Sequence, residues 1–129
     1  MINFFSKYKF IFHFANVFLI ILYIYPGSIL GYVIYSDLQT QPQITRDFIV
    51  STNHVYAFFL ISLLGFLTFK KSNKLNILIL YLLILSIILE ILHLIIPERS
   101  FELADLFGNL IGVIILIIIN YFSKTNENY

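Results

Sequence analysis

The chain has 129 residues, no cysteine and a formal net charge of +1, with 12% charged and 60% hydrophobic residues and a mean hydropathy of +0.91. A soluble domain carries about 25% charged and about 45–50% apolar residues, so a soluble globular domain is excluded, and the apolar excess excludes a disordered chain. The near-neutral charge argues against a nucleic-acid partner, and the lack of cysteine removes disulfides, thiolate metal sites and a thiol nucleophile.

A bilayer-spanning helix needs about 20 apolar residues, so the length allows a small polytopic membrane protein and no separate soluble domain. The first uncharged run covers residues 10–36 and is interrupted by Pro26-Gly27. Proline removes a backbone donor and clashes with the preceding turn, which predicts a span over about 10–25, with an extension past Pro26 as the alternative. No small-residue cleavage pattern follows Tyr23, so the run is read as a span and not as a removed signal. Further uncharged runs give spans over 48–69 and 105–122, and a span over 75–96 is broken only by Glu90 and His93. Continuous apolar runs favour helices over a membrane barrel, whose strands alternate. The expected fold is all-α, a single antiparallel four-helix transmembrane bundle.

Lys7, Lys9, Lys70, Lys71, Lys74 and Lys124 fall on one side of such a bundle, and Arg46 and Arg99 on the other. Positive residues mark the cytoplasmic side, so both termini are expected inside. Tyr23, Tyr25, Tyr32 and Tyr35 are assigned to the outer aromatic belt. Nearly all carboxylates gather on the outer side, with Glu127 the cytoplasmic exception.

Three polar groups are expected to lie below the outer surface. Glu90 precedes Pro97 by seven residues, roughly 10 Å at 1.5 Å per residue. Asn109 follows Asp105 by four, roughly 6 Å, and His54 follows Phe48 by six, roughly 9 Å. An ionised group at the bilayer centre costs about 2.5–3.5 kcal/mol on insertion scales, so Glu90 is expected to face the bundle interior with partners. Glu90 and His93 share a helix face, extended by Ser86. Asp105, Asn109 and Gly112 share another. Gly108 and Gly112 form a small-xxx-small pair that lets span four approach a neighbour closely. The short connection 97–102 makes spans three and four neighbours and puts Arg99 within reach of Glu90 and Asp105.

The segment Glu90-Ile-Leu-His93-Leu-Ile-Ile-Pro97-Glu98-Arg99-Ser100-Phe101-Glu102-Leu-Ala-Asp105-Leu-Phe-Gly-Asn109-Leu-Ile-Gly112 resembles the signature of the VanZ-like family: Glu, a Gln-like residue three later, Pro-x-Arg, Asp, Asn four residues on, then Gly. The segment that opens with His54 is similar to the family's second span, and the resemblance covers roughly residues 53–119. The chain departs from the pattern at Val50 and Ser51, where an acidic-plus-Lys pair is common, and at His93, where Gln is commoner. The resemblance implies an integral protein of the bacterial plasma membrane, acting in the cell envelope, and supplies no reaction.

Glu90 and His54 are the candidate proton-transfer pair. Arg99, Asp105, Asn109 and His93 are the candidates for binding an anionic, lipid-linked envelope substrate, with the planar fork of Arg99 suited to phosphate or carboxylate. The competing reading makes the cluster internal glue in a non-catalytic subunit with a membrane-protein partner, and Asp105 a helix cap. Glu90-x-x-His93 is half of a di-iron motif that needs two copies. A mononuclear zinc site could draw on His54, His93, Glu90 and Asp105. The resembling family usually lacks a histidine at position 93, so no metal and no cofactor is assigned. His13, Asn16 and Asn120 are read as packing or interfacial groups, and the lysines as a topology signal that also contacts anionic membrane lipid.

Overall fold

The computed structural model describes residues 4–126; Glu127, and the side chain of Lys7, lie outside what it describes. The described residues form five helices and no strand: α1 (Phe4–Ile24), α2 (Ile29–Tyr35), α3 (Thr52–Phe69), α4 (Leu75–Leu92) and α5 (Leu103–Asn126). α3, α4 and α5 are each long and apolar enough to cross a membrane. They leave large apolar side chains exposed along their length, among them Leu60, Ile77, Leu80 and Ile118. Water would penalise such surfaces and acyl chains would not, so this is a membrane protein.

The first apolar run behaves differently from the other three. Residues Tyr8–Ile24 and Ile29–Tyr35 together reach the length and hydropathy of a span, and the pair is bent by 84° at the break. Pro26 restricts Tyr25 to extended geometry, and Gly27 takes φ +90°, where a Cβ would lie 2.8 Å from the Leu38 carbonyl oxygen. Ser28 then caps α2 by accepting the Gly31 amide at 2.9 Å. Of the two alternatives left by the sequence, the structure stops α1 at Ile24 and turns the chain sharply.

α3 makes its largest interface with α5 and also packs on α1, and α4 packs on α5. The glycine pair on α5 explains the first of these. A Cβ on Gly112 would stand 2.7 Å from both the Val55 carbonyl oxygen and the Phe59 nitrogen, and one on Gly108 would stand 2.6 Å from the Ser51 carbonyl oxygen. The close neighbour of span four is therefore α3. The seam is fastened at its end by the Ser51 amide, which donates to the Ala104 carbonyl at 3.1 Å. The rest of the interior is mostly apolar, filled by Phe58, Leu82, Leu89, Val113 and Leu116, with Ser62 of α3 also buried.

Two helix ends differ from the expected spans and change the depth of the polar groups. α3 begins at Thr52, not at Phe48, because Asp47 accepts the Thr52 amide at 2.9 Å and fixes the helix start there. Phe48 and Ile49 precede it with their side chains 87% and 92% exposed. α4 ends at Leu92, and residues 93–98 form turns, with Glu98 at φ +60°. His54 thus sits in the first turn of α3, Glu90 in the last turn of α4 and Asp105 in the first turn of α5. The three reach one level because all three helices end there.

Candidate functional site

Asn109 is the centre of the polar cluster. It is fully buried on α5 and reaches all three other long helices. Its Nδ2 donates to the Ser86 carbonyl of α4 at 3.1 Å. Its Oδ1 accepts the Tyr23 hydroxyl of α1 at 2.7 Å and lies 2.9 Å from Nδ1 of His54 on α3. The Ser86 carbonyl can only accept, so it sets the orientation of the amide. Oδ1 must then face His54, and Nδ1 of that imidazole carries its proton. One amide therefore ties four helices together and sets a tautomer.

Tyr23 was placed in the outer aromatic belt by sequence, and the structure corrects this: it is buried at the middle of the site. Its ring stacks on His93 with centroids 5.8 Å apart and meets His54 and Phe58 edge-on. Nothing in the sequence separates Tyr23 from its neighbours Tyr25, Tyr32 and Tyr35, which are exposed. The only available signal was position, since a tyrosine at the end of α1 lies level with the polar ends of α3, α4 and α5.

Glu90 has no exposed surface and points inward, as its cost in lipid requires. Its Oε1 accepts the Glu102 amide at 3.1 Å and lies 3.3 Å from Nδ1 of His93. Its Oε2 has no hydrogen-bond partner and lies 3.9 Å from Nδ1 of His54. His93, also buried, donates from Nε2 to the Tyr23 carbonyl at 2.9 Å, because a carbonyl can only accept. Asp105 is partly exposed, with Oδ2 3.6 Å from Nε2 of His54.

Arg99 does not make the expected bridge between Glu90 and Asp105. Its Nη2 donates to the Leu22 carbonyl at 2.6 Å and its Nε to the Tyr25 carbonyl at 3.1 Å. These are carbonyls at the C-terminal end of α1, left without partners where the helix stops. The left-handed Glu98 turns the chain so that the next side chain returns across α1. Half of the fork is thereby committed to holding α1, and Nη1 is the part still free to meet a ligand. Burial pushes the Arg99 pKa down from the ordinary arginine value, and the nearby Tyr23, Glu90 and Asp105 oppose that shift. The group remains a cation.

Of the six candidate residues, the structure brings His54, Glu90, His93, Asp105 and Asn109 into one connected cluster. Arg99 sits at its edge. Tyr23 and Ser86 complete it, the latter already placed on the Glu90 face by spacing. Among the packing candidates, Asn16 accepts the Tyr81 hydroxyl at 2.8 Å, joining α1 to α4, and His13 is exposed beside Phe12.

A cavity of ≈ 390 Å³ opens beside the cluster. Tyr23, Asn53, His54 and Arg99 are among its polar lining, and Leu19, Leu30, Ile34 and Leu60 form much of its apolar wall. Compared with known proteins, the chain matches no family model, no curated protein and no solved structure.

Proposed function

We propose that this chain is a VanZ-like integral membrane protein of the bacterial plasma membrane. Its pocket binds or modifies an anionic, lipid-linked substrate of the cell envelope. The α1–α2 pair makes the first crossing of an antiparallel four-helix bundle, with both termini cytoplasmic and the polar cluster at the outer leaflet. The lysine distribution supports that orientation: Lys70, Lys71 and Lys124 line a cavity together at one end, and Arg99 lies at the other with the carboxylates.

The observation that carries the substrate reading is the two-sided chemistry of the ≈ 390 Å³ cavity. An arginine and a histidine meet a long apolar wall, as an anionic headgroup with an acyl or prenyl chain requires. Ligand sites are largely apolar with a few convergent polar groups. In this reading Arg99 uses its uncommitted N–H groups on the anion. Glu90 and His54 move protons; Asp105, Asn109 and His93 orient them.

Glu90→Gln keeps the shape and removes the charge. A strain carrying only this variant is expected to show the envelope-lipid profile of a strain lacking the gene, by mass spectrometry, with folded protein at normal yield. A fully active Glu90→Gln variant at normal expression would end the proton-transfer reading.

The four-way contact of Asn109 favours a second reading, in which the cluster is glue within a non-catalytic subunit and the partner is another membrane protein. Asp105→Asn separates the two. Asp105 is partly exposed and meets the cluster through His54, so the pocket reading predicts an unchanged folded yield in detergent and the glue reading a reduced one. Arg99→Ala cannot make this distinction, because Arg99 caps α1 under either reading.

A further inference from the structure

The hydrogen-bond inventory of the cluster leaves electron pairs facing one another. Asn109 holds the proton of His54 on Nδ1, as argued from the Ser86 carbonyl. While the ring carries that one proton, Nε2 presents a lone pair, and 3.6 Å away stands the carboxylate oxygen Oδ2 of Asp105. Neither atom can donate to the other. On the inner side, Oε2 of Glu90 is buried, has no hydrogen-bond partner and lies 3.9 Å from Nδ1 of the same imidazole, on the side that faces Asn109. One donor atom from each of His54, Glu90 and Asp105 lies within 4.8 Å of the others. A buried acceptor without a donor is costly, and three side chains whose ligand atoms lie this close together are complementary to a cation.

We propose that His54, Glu90 and Asp105 bind a single divalent transition-metal ion, with zinc the best match. One imidazole and two carboxylates are all zinc ligands, with bonds of about 2.0–2.2 Å. Such bonds put neighbouring ligand atoms about 3.3–3.6 Å apart in a tetrahedron, and the His54–Asp105 separation of 3.6 Å already fits. Three protein ligands leave a fourth position open, which is the pattern of reactive and ligand-exchanging zinc sites. His54 also lines the ≈ 390 Å³ cavity, which places the site at the cavity's edge.

The surroundings have the form of a metal site's outer shell. A metal-bound histidine usually donates its other ring N–H to a fixed acceptor, and Nδ1 of His54 does so to Asn109. The Glu102 amide fixes Oε1 of Glu90, leaving Oε2 for the ion. His93 drops out of the four-ligand set considered from sequence. Its Nε2 is spent on the Tyr23 carbonyl, and its Nδ1 stands 3.3 Å from the other oxygen of Glu90, Oε1, outside the group formed by His54, Glu90 and Asp105. A divalent ion here would be an anchor for an anionic headgroup. The site itself rests on ligand geometry and stands whether or not a lipid-linked substrate binds.

The full chain, purified in detergent and stripped with a chelator, is titrated with Zn²⁺ by calorimetry. Mg²⁺ serves as the control for loose acidic binding. The expected result is one Zn²⁺ per chain with Mg²⁺ at least tenfold weaker. Affinity for Zn²⁺ is expected to fall at least tenfold in each of His54→Gln, Glu90→Gln and Asp105→Asn and to stay unchanged in His13→Gln. Gel filtration confirms that each variant is folded. Cobalt substitution of the unaltered chain gives a readout that needs no variant, since three protein ligands and a water impose the absorption spectrum of tetrahedral Co²⁺. No saturable Zn²⁺ binding by the unaltered chain would overturn the proposal, as would a Zn²⁺ affinity that survives all three substitutions. Zinc binding with no effect of any variant on envelope lipids would leave the metal site standing and remove the substrate reading.

Discussion

The two ends of the helix bundle use charge in opposite ways. At one end Lys70, Lys71, Lys74 and Lys124 are exposed, and none holds two helices together by a described ion pair. At the other, Glu90, His93 and Asn109 are buried and tied to each other through backbone and side-chain contacts from four helices. The exposed lysines contribute little to stability. The buried groups are worth having only if every partner is present, because an unpaired polar group in a low-dielectric interior is expensive. Substitutions at the two ends should therefore differ sharply in effect.

The largest effect is expected at the glycine seam that supports the buried end. In Gly112→Ala the new methyl would press on the backbone of α3 at Val55 and Phe59, and backbone cannot rotate away. Overpacking costs about 1–3 kcal/mol, here at its upper end, and should appear as a loss of folded protein in detergent. Asn109→Ala comes next. It removes three contacts, each worth about 0.6 kcal/mol between membrane helices, for roughly 2 kcal/mol in reversible unfolding. Lys71→Ala should change unfolding by less than about 0.5 kcal/mol, as an exposed surface substitution does. A loss near that of Asn109→Ala would erase the contrast between the ends.

Much of the buried end was legible in the sequence, for a physical reason. A carboxylate inside an apolar run has few tolerable positions, so Glu90 had to face inward. Helical periodicity then placed Ser86 and His93 beside it and Asn109 on the facing stripe. What was not legible depended on atoms rather than periods. Residues 48–50 are apolar and read as the start of a span, yet the Asp47–Thr52 hydrogen bond starts the helix later. Arg99 lies close in sequence to two carboxylates and was expected to pair with them, but unpaired carbonyls at the end of α1 hold it instead. Tyr23 is one tyrosine among several at the same level, and only tertiary packing selects it. The 84° bend after Ile24 needed the combined action of Pro26, Gly27 and Ser28, of which the first two were visible as a break.

The smallest expected effect lies in the connection that precedes α3. The Thr52 amide, together with Thr52 and Gln43 side-chain groups, holds the Asp47 carboxyl below the ordinary aspartate pKa. A lowered carboxylate pKa stabilises the folded state above the unfolded value of about 3.9 and loses that contribution as pH falls through the folded one. The Thr52 amide resonance should therefore be constant from pH 5 to 8 and titrate below about pH 3.9. A midpoint above that value would mean that Asp47 does not cap α3.

The central claim is that one buried amide network joins the helices at the end that carries Glu90, and a double-mutant cycle tests it most directly. Tyr23→Phe removes only the hydroxyl that donates to Asn109. Combined with Asn109→Ala and read by reversible unfolding in detergent, the pair should show a coupling of about 0.6–1.7 kcal/mol, the range found for hydrogen bonds between membrane helices. Strict additivity of the two substitutions would show that Tyr23 and Asn109 do not meet, and the cluster described at this end of the bundle would not exist.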